Sequence, residues 1–295
     1  MLAYPQIDPV AFSVPLPFGF GPFPVHWYGI MYLIGFAGGY GVNWWRIRHK
    51  PGYHWNTQQL GDLLFYVVVG IVIGGRIGYV LFYNLPYYLA NPAQILAVWD
   101  GGMSFHGGLI GVLVAMVIYA RRFHRSFWDL TDFIAPAVPI GLGTGRIGNF
   151  INGELWGKVS DAPWAMRLPC WDGRFMDRYC GGVPSGYSPP HLPTQLYEAL
   201  LEGAVMFAIL WWFSSKPRPR MAVSGLFALL YGIFRFAIEF ARLPDPQIGY
   251  LAFGWLTMGQ VLSLPLIVIG LVLIGLAYRN KQFATAPPER GQPQA

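Results

Sequence analysis

The chain has 295 residues, of which 54% are hydrophobic, 17% aromatic and only 12% charged. A soluble domain carries about 25% charged residues, so this composition excludes a soluble, disordered or fibrous protein and indicates a membrane protein. The net charge of +6 suggests an anionic partner. No run of basic residues alternates with aromatic residues as a nucleic-acid surface requires.

The first 24 residues contain several prolines and Asp8 but no Lys or Arg. A signal peptide begins with a positively charged region, so this segment is predicted to be retained as a periplasmic N-terminal segment.

Seven windows are apolar enough for membrane-spanning helices, each of which needs about 20 mainly apolar residues. The third and fourth are short or polar, which makes them the candidates for bent helices. The windows cover approximately residues 25–45, 60–83, 105–120, 127–142, 195–213, 222–240 and 256–278. We therefore predict an all-α, polytopic membrane protein of about seven spans, with helices 1–4 in residues 25–143 and helices 5–7 in residues 195–279.

The basic residues alternate between the two sides of these windows. Twelve of the 20 follow the first, third, fifth and seventh windows in groups of three, whereas the N-terminal segment and residues 84–104 have none. The groups are Arg46, Arg48 and Lys50; Arg121, Arg122 and Arg125; Lys216, Arg218 and Arg220; and Arg279, Lys281 and Arg290. Because cytoplasmic loops are enriched in Lys and Arg, we expect a periplasmic N-terminus and a cytoplasmic C-terminus.

This orientation places residues 144–194 in the periplasm and a disordered tail, 280–295, in the cytoplasm. Cys170 and Cys180 lie in the periplasmic segment, where disulfides persist, so the two thiols can pair; two separate reduced thiols are the alternative. They form no CxxC motif and have no nearby His pair. The sequence thus predicts neither a zinc site nor any other metal or cofactor.

Arg76, Arg146, Arg235 and Arg242 lie inside or at the outer ends of predicted spans. A charge at mid-membrane costs about 3 kcal/mol, which makes such a residue a functional candidate. Arg235 and Glu239 are four residues apart and share a helix face, which Arg242 extends. The alternative is a charge pair that only locks two helices together.

Arg146 begins the run GRIGNFINGELWG, which also contains Asn149, Asn152 and Glu154. Asn is costly in lipid and favours turns, so this run predicts a broken helix that lines a polar cavity. The paired donors of a guanidinium suit phosphate, and an anionic lipid headgroup is therefore the candidate ligand.

Two further candidates lie at the outer ends of windows. His106 can exchange a proton near neutral pH, although a hydrogen-bonded packing role is the alternative. Tyr28 follows Trp27, and the pair is also typical of an interfacial aromatic belt. GxSxG, metal-cluster and P-loop motifs are absent from the sequence, so protease, metallohydrolase and ATPase functions have no support.

Six runs together resemble the bacterial prolipoprotein diacylglyceryl transferase family, over roughly residues 26–260: HWYGIMYLIGF, GGRIGYVLFYN, MSFHGGLIG, GRIGNFINGELWG, PTQLYEALLEG and FRFAIEFARLPD. The resemblance implies an enzyme of the bacterial inner membrane whose active site faces the periplasm. Its partners would be phosphatidylglycerol and a preprolipoprotein whose signal peptide carries a lipobox cysteine. The implied reaction transfers the sn-1,2-diacylglyceryl group to that thiol and releases glycerol phosphate.

The resemblance also implies substrate-binding or catalytic roles for matching positions. We expect His106, Arg235 and Glu239 to be catalytic. The expected substrate-binding residues are Tyr28, Arg146, Asn149, Asn152, Glu154, Gly157 and Arg242. The general base is left open between His106, Glu154 and Glu239.

A transporter or channel is the rival from another functional class, because intramembrane Arg and Glu pairs also line ion paths. It would predict internal repeats, and none is convincing here.

Overall fold

A computed structural model describes residues 2–15, 17, 21–49, 54–98, 101–244 and 249–284. The chain divides into two compact units: residues 1–41 with 134–281 form the first, and residues 42–133 with 282–295 form the second. The predicted disorder of residues 280–295 falls mainly on 285–295, outside the described residues.

The described residues are mostly helical. The helices are α1 (Trp27–His49), α2 (Thr57–Tyr83), α3 (Leu85–Ala90), α4 (Phe105–Arg122), α5 (Phe127–Ile134), α6 (Val138–Asn152), α7 (Gly173–Tyr179), α8 (Thr194–Glu198), α9 (Met206–Phe213), α10 (Ala222–Glu239) and α11 (Met258–Asn280). A 3₁₀ helix covers Pro92–Leu96, and a π-helical stretch, Ala199–Val205, joins α8 to α9. The strands are β1 (Leu2–Ala3), β2 (Val10–Pro15), β3 (Pro22–His26) and β4 (Met166–Arg167).

Five helical segments of the described chain are long and apolar enough to cross a membrane. They are α2, α4, the continuous segment Thr194–Phe213, α10 and α11. Each coincides with a predicted window, so the chain is a mostly helical, multi-pass membrane protein. The count of seven spans and their orientation stay predictions.

The fourth window, 127–142, is not one helix. Helix α5 ends at Ile134, and α6 begins at Val138. Pro136 lies between them, and proline disfavours helical geometry in the residue before it. The fourth window is thus interrupted, as its candidacy for a bent helix predicts, and its second half belongs to the longer α6. The third window, in contrast, is the single helix α4.

The all-α prediction is incomplete, because the described residues also form four short strands. Strand β1 pairs in parallel with β4, and β2 pairs with β3 in an antiparallel hairpin that leads directly into α1. Cys170 and Cys180 form a disulfide, as oxidising surroundings permit. Near it, Tyr4, Trp156, Leu168 and other buried residues form an apolar core. The first unit thus carries a small folded segment, residues 153–193, between α6 and α8.

In the second unit, α2 and α4 pack through glycines. A Cβ atom on Gly74 would lie 2.4 Å from the carbonyl oxygen of Gly107, and one on Gly111 would lie 2.0 Å from that of Gly70. Small residues allow such close backbone contact between membrane helices. The packing therefore requires glycine at these positions.

Arg76, the second-unit arginine predicted inside a span, is buried on α2. Its guanidinium donates to the carbonyl oxygens of Gln94, Ile95, Gly101 and Gly102 at 2.5–3.1 Å. These bonds satisfy its donors and hold the connection between α2 and α4. Arg76 therefore has a structural role in the described part of this unit.

Gly74→Ala should lower the midpoint of thermal unfolding in detergent, because the new methyl group meets the Gly107 carbonyl. Overpacking of this kind costs about 1–3 kcal/mol. Gly61→Ala, also on α2, is the matched control, since a Cβ atom there meets nothing within 4 Å. An equal effect of both substitutions would contradict the close packing of α2 on α4.

Candidate active site

Six charged side chains of the described first unit lie together, and we call them the charge cluster. They are Arg146 from α6, Glu198 from α8, Glu202 from the π-helical stretch, Arg235 and Glu239 from α10, and Arg242, which follows α10. Their formal charges sum to zero. Packing of α6, α8 and the π-helical stretch against each other and of α8 against α10 brings them together.

Glu198 contacts all three arginines of the cluster. Its Oε1 accepts hydrogen bonds from Nη1 of Arg235 at 3.1 Å and Nη1 of Arg242 at 3.0 Å, and its Oε2 lies 3.4 Å from Nε of Arg146. The side chain has no solvent exposure. One carboxylate therefore fixes three guanidinium groups, one from α6 and two from α10 and the residues that follow it.

Glu239 supports two of the same arginines. Its Oε2 lies 2.8 Å from Nη1 of Arg235 and 3.2 Å from Nε of Arg242, and its Oε1 accepts a hydrogen bond from Oγ1 of Thr257 at 3.0 Å. A Cβ atom on Gly259 would lie 2.7 Å from Cδ of Glu239, so glycine makes room for the carboxylate. The shared helix face predicted for Arg235, Glu239 and Arg242 is present.

Sequence reasoning missed Glu198 and Glu202. Glu202 Oε2 lies 3.4 Å from Nη2 of Arg146, and the side chain is fully buried. Both glutamates lie in PTQLYEALLEG, inside an apolar window, and the rule that singled out the intramembrane arginines applies equally to acids. The π-helical geometry that carries Glu202 is itself frequent at functional sites.

The two signs of charge in the cluster differ in exposure. Side-chain exposure is 19% for Arg146, 18% for Arg235 and 10% for Arg242, but zero for Glu198. The carboxylates are thus enclosed, whereas each arginine side chain keeps a small exposed fraction. In this arrangement the arginines can still donate to an anionic ligand. The glutamates compensate the cost of burying the arginines' positive charge.

A second group of site residues lies at the end of α6. Nδ2 of Asn149 donates to Oε2 of Glu154 at 3.3 Å, and Nδ2 of Asn152 donates to Oε1 at 3.2 Å. The helix ends within this run, as predicted, but only after both asparagines: α6 is continuous through Asn152 and ends at Gly153, whose φ of +76° closes the helix. The Glu154 carboxylate thereby accepts hydrogen bonds from two side-chain amides at a regular helix end.

Tyr28 packs on α6 at Gly148, two residues beyond Arg146. A Cβ atom on Gly148 would lie 2.9 Å from Cδ2 of the Tyr28 ring, so the glycine of GRIGN admits the aromatic ring. The Tyr28 hydroxyl lies 3.2 Å from that of Tyr32. Helix α1 therefore packs against α6, the helix that carries Arg146.

Gly157 links the folded segment 153–193 to the charge cluster. It forms an isolated antiparallel bridge with Arg242, and a Cβ atom would lie 2.5 Å from the Ala241 oxygen and 2.6 Å from Cγ2 of Thr194. Nδ1 of His191, which is buried, donates to the Gly157 oxygen at 2.8 Å. Glycine is therefore required where the chain passes Arg242.

Nine of the ten predicted site residues lie in the first unit. Helix α6 contributes Arg146 to the charge cluster and two asparagines to the group at its own C-terminal end. His106 lies in the second unit, as the second residue of α4. Its predicted role stays a prediction. In the described part of the chain, no three His, Cys, Asp or Glu residues are arranged to hold a metal ion.

Glu198→Gln should strongly destabilise the folded protein, because it removes the charge between three partly buried arginines. Breaking a buried ion pair costs about 3–5 kcal/mol, which a lowered midpoint of thermal unfolding would report. Glu202→Gln is the matched control, since Glu202 has one long contact, and we expect a smaller loss. Equal midpoints for the two variants would refute the central position of Glu198.

His191 should make stability depend on pH. Burial lowers the pKa of His191 below its usual 6.5, so the unfolded chain takes up the proton first. The contribution is present above about pH 6.5 and is lost as pH falls through the lower pKa of the folded state. Unfolding midpoints between pH 8 and 5 measure it, and His191→Gln should reduce the slope; an unchanged slope would contradict this assignment.

Comparison with known proteins agrees with the sequence motifs. The family model for prolipoprotein diacylglyceryl transferase matches residues 15–276. A phosphatidylglycerol–prolipoprotein diacylglyceryl transferase of Coxiella burnetii (strain Dugway 5J108-111) is 55% identical over 282 residues, which are 96% of this chain and 100% of the relative. Those of Azotobacter vinelandii and Pseudomonas putida (strain KT2440) are each 56% identical, over 95% and 96% of this chain and 98% and 99% of their own lengths. Since the similarity extends over almost every residue, this chain belongs to the prolipoprotein diacylglyceryl transferase family.

Proposed function

We propose that this protein transfers the sn-1,2-diacylglyceryl group of phosphatidylglycerol to the cysteine thiol of a preprolipoprotein. The relatives' names specify this lipid and this protein substrate. The observation that carries the proposal for the site is the convergence of three arginines, each with a small exposed fraction, on carboxylates that are more deeply buried. This arrangement suits a phosphodiester, whose non-bridging oxygens accept paired hydrogen bonds.

The reaction places definite demands on the site. The sulfur of the lipobox cysteine forms a bond to the glyceryl carbon, the bond from that carbon to the phosphate oxygen breaks, and glycerol phosphate leaves. The leaving group gains a second negative charge as the diester becomes a monoester. Fixed cationic donors stabilise such developing charge, and we assign this task to Arg146, Arg235 and Arg242.

The carboxylates of the cluster have the supporting role. Glu198 contacts the arginines through both oxygens, and Glu239 contacts them through Oε2 while its Oε1 accepts from Thr257. We therefore assign both carboxylates to holding the guanidinium groups in place. Glu239, predicted to be catalytic, is therefore proposed as a positioning residue. Asn149, Asn152 and Glu154 are proposed to orient the lipid beside the cluster.

The thiol must lose its proton, since the thiolate is the nucleophile and a free cysteine has a pKa of about 8.5. His106 is the proposed base, because a histidine exchanges protons near neutral pH. We also propose seven spans in the bacterial inner membrane, a periplasmic N-terminus and a periplasm-facing site. The Cys170–Cys180 disulfide supports an oxidising compartment for the external segment.

A direct assay tests the proposed function. The purified protein is incubated with phosphatidylglycerol and a lipobox peptide, and the peptide mass should increase by one diacylglyceryl group. A peptide with serine in place of the cysteine is the control and should gain nothing. No adduct, together with anion flux in liposomes, would overturn the proposal in favour of a transporter.

Arg146→Ala should reduce transfer to background, and Arg146→Lys should lose at least about tenfold, because an ammonium group cannot replace the guanidinium fork. The matched control is Arg121→Lys, at the exposed end of α4, which should keep wild-type activity. The rate of peptide modification is measured for each of the three variants. Full activity of Arg146→Lys would exclude paired recognition of the phosphate.

His106→Gln should reduce transfer at pH 7 and regain activity as pH rises towards the pKa of the thiol, since the substrate then ionises without help. A pH–rate profile from pH 6.5 to 9 measures this, with wild type as reference. Wild-type activity at pH 7 would exclude His106 as the base.

A further inference from the structure

The C-terminal end of α6 is held from outside by three side chains, Tyr4, Arg174 and Phe175, which we call the external clamp. This end carries Asn149 and, beyond Gly153, Glu154. The last carbonyl groups of a helix have no partner within it. Their position therefore depends on groups supplied from elsewhere in the fold.

Tyr4 supplies one of these groups. Its hydroxyl lies 2.9 Å from the carbonyl oxygens of both Phe150 and Ile151, so its proton is shared between the last carbonyls of α6. Burial raises the pKa of Tyr4, which keeps the hydroxyl a donor. The ring packs edge-on against Trp156 and Phe175, with centroids 5.4 and 5.3 Å away.

Arg174 supplies the second group. Its Nη1 donates to the Ile151 oxygen at 3.1 Å, and its Nη2 donates to the Ile7 oxygen at 3.3 Å. Asp172 fixes the guanidinium through a 2.6 Å contact to Nη2, and these hydrogen bonds lower the pKa of Asp172. A cation at a helix C-terminus also interacts favourably with the helix dipole.

Phe175 covers the helix end itself. A Cβ atom on Gly153 would lie 2.6 Å from Cε1 and Cζ of the Phe175 ring. Arg174 and Phe175 belong to α7, which is enclosed by the disulfide between Cys170 and Cys180, ten positions apart. The external clamp thus connects Tyr4 and helix α7, which lies inside the disulfide loop, to the C-terminal end of α6.

We propose that Tyr4 and Arg174 are positioning residues that set the rate of transfer through the end of α6, without contacting the substrate. This inference rests on the proposed function. The connection runs across Gly153, where Glu154 N donates to the Asn149 oxygen at 2.9 Å and Asn149 Nδ2 donates to Glu154 Oε2 at 3.3 Å. A shift of the helix end changes both bonds and misplaces the carboxylate.

Tyr4→Phe is the sharpest test, because it removes the hydroxyl and keeps the packed ring. We expect kcat to fall about tenfold, since small misplacements near a reacting centre are costly. KM for phosphatidylglycerol should stay within about twofold, because the phosphate binds at the charge cluster, which this variant leaves intact. We expect the same changes in kcat and KM for Arg174→Gln. Arg178→Gln is the matched control on α7, as Arg178 lies over the Tyr179 ring, and it should leave both constants unchanged.

Hydrogen exchange supplies a readout that does not depend on transfer. The amides of Gly153 and Glu154 donate to the oxygens of Phe150 and Asn149, so peptides covering residues 149–157 should exchange faster in Tyr4→Phe and Arg174→Gln than in wild type or Arg178→Gln. Tyr4→Phe combined with Asn152→Ala should lose less activity than the product of the single losses, because both act through Glu154.

The outcomes separate the clamp from the proposed function. Wild-type protein without transferase activity would refute the proposed function, while the exchange rates would still decide whether the clamp holds α6. Unchanged exchange in Tyr4→Phe would overturn the clamp. Faster exchange with unchanged kcat would overturn its positioning role. If Arg174→Gln does not fold, Tyr4→Phe decides the question.

Discussion

Glu198 has no solvent exposure and contacts three arginines, and the arrangement of the site depends on this one carboxylate. Each buried charge loses hydration worth several kcal/mol, which only close opposite charges and hydrogen bonds repay. Arg146, Arg235 and Arg242 come from two different helical segments. They remain together because Glu198, with Glu239, provides the compensating charge.

Such a cluster requires helices that approach closely, and glycine makes this approach possible. Gly148 admits the Tyr28 ring, Gly157 passes beside Arg242, and Gly259 leaves room for Glu239. In lipid, van der Waals contact between small residues replaces the hydrophobic driving force that water provides. The glycines therefore determine how near the charged side chains can be brought to one another.

Spacing along one helix was sufficient to predict part of the site. Arg235, Glu239 and Arg242 share a face because they are four and three residues apart, and the apolar windows located the five long helices. Glu198 was missed because it has no arginine three or four residues away on its own helix, and its partners come from other segments of the chain. The short strand β1 was beyond reach, since a two-residue strand has no pattern of its own and depends on its partner β4.

The end of α6 shows why local rules mislead at such a site. Two asparagines beside an arginine predicted a broken helix, yet α6 continues through both of them to Asn152, where Glu154, Tyr4 and Arg174 accept or supply the hydrogen bonds at its end. Tertiary partners thus override the turn preference of asparagine. Tyr4 and Arg174 lie outside the run, which is why the run alone could not reveal them.

The central claim is that the charge cluster binds the phosphate of the lipid, and competition by the released headgroup tests it most directly. Initial transfer rates are measured against phosphatidylglycerol concentration in the presence of glycerol phosphate or of glycerol. The account predicts that glycerol phosphate raises KM for the lipid and leaves kcat unchanged, whereas glycerol has no effect. Equal effects of the two compounds, or no inhibition by glycerol phosphate, would contradict it.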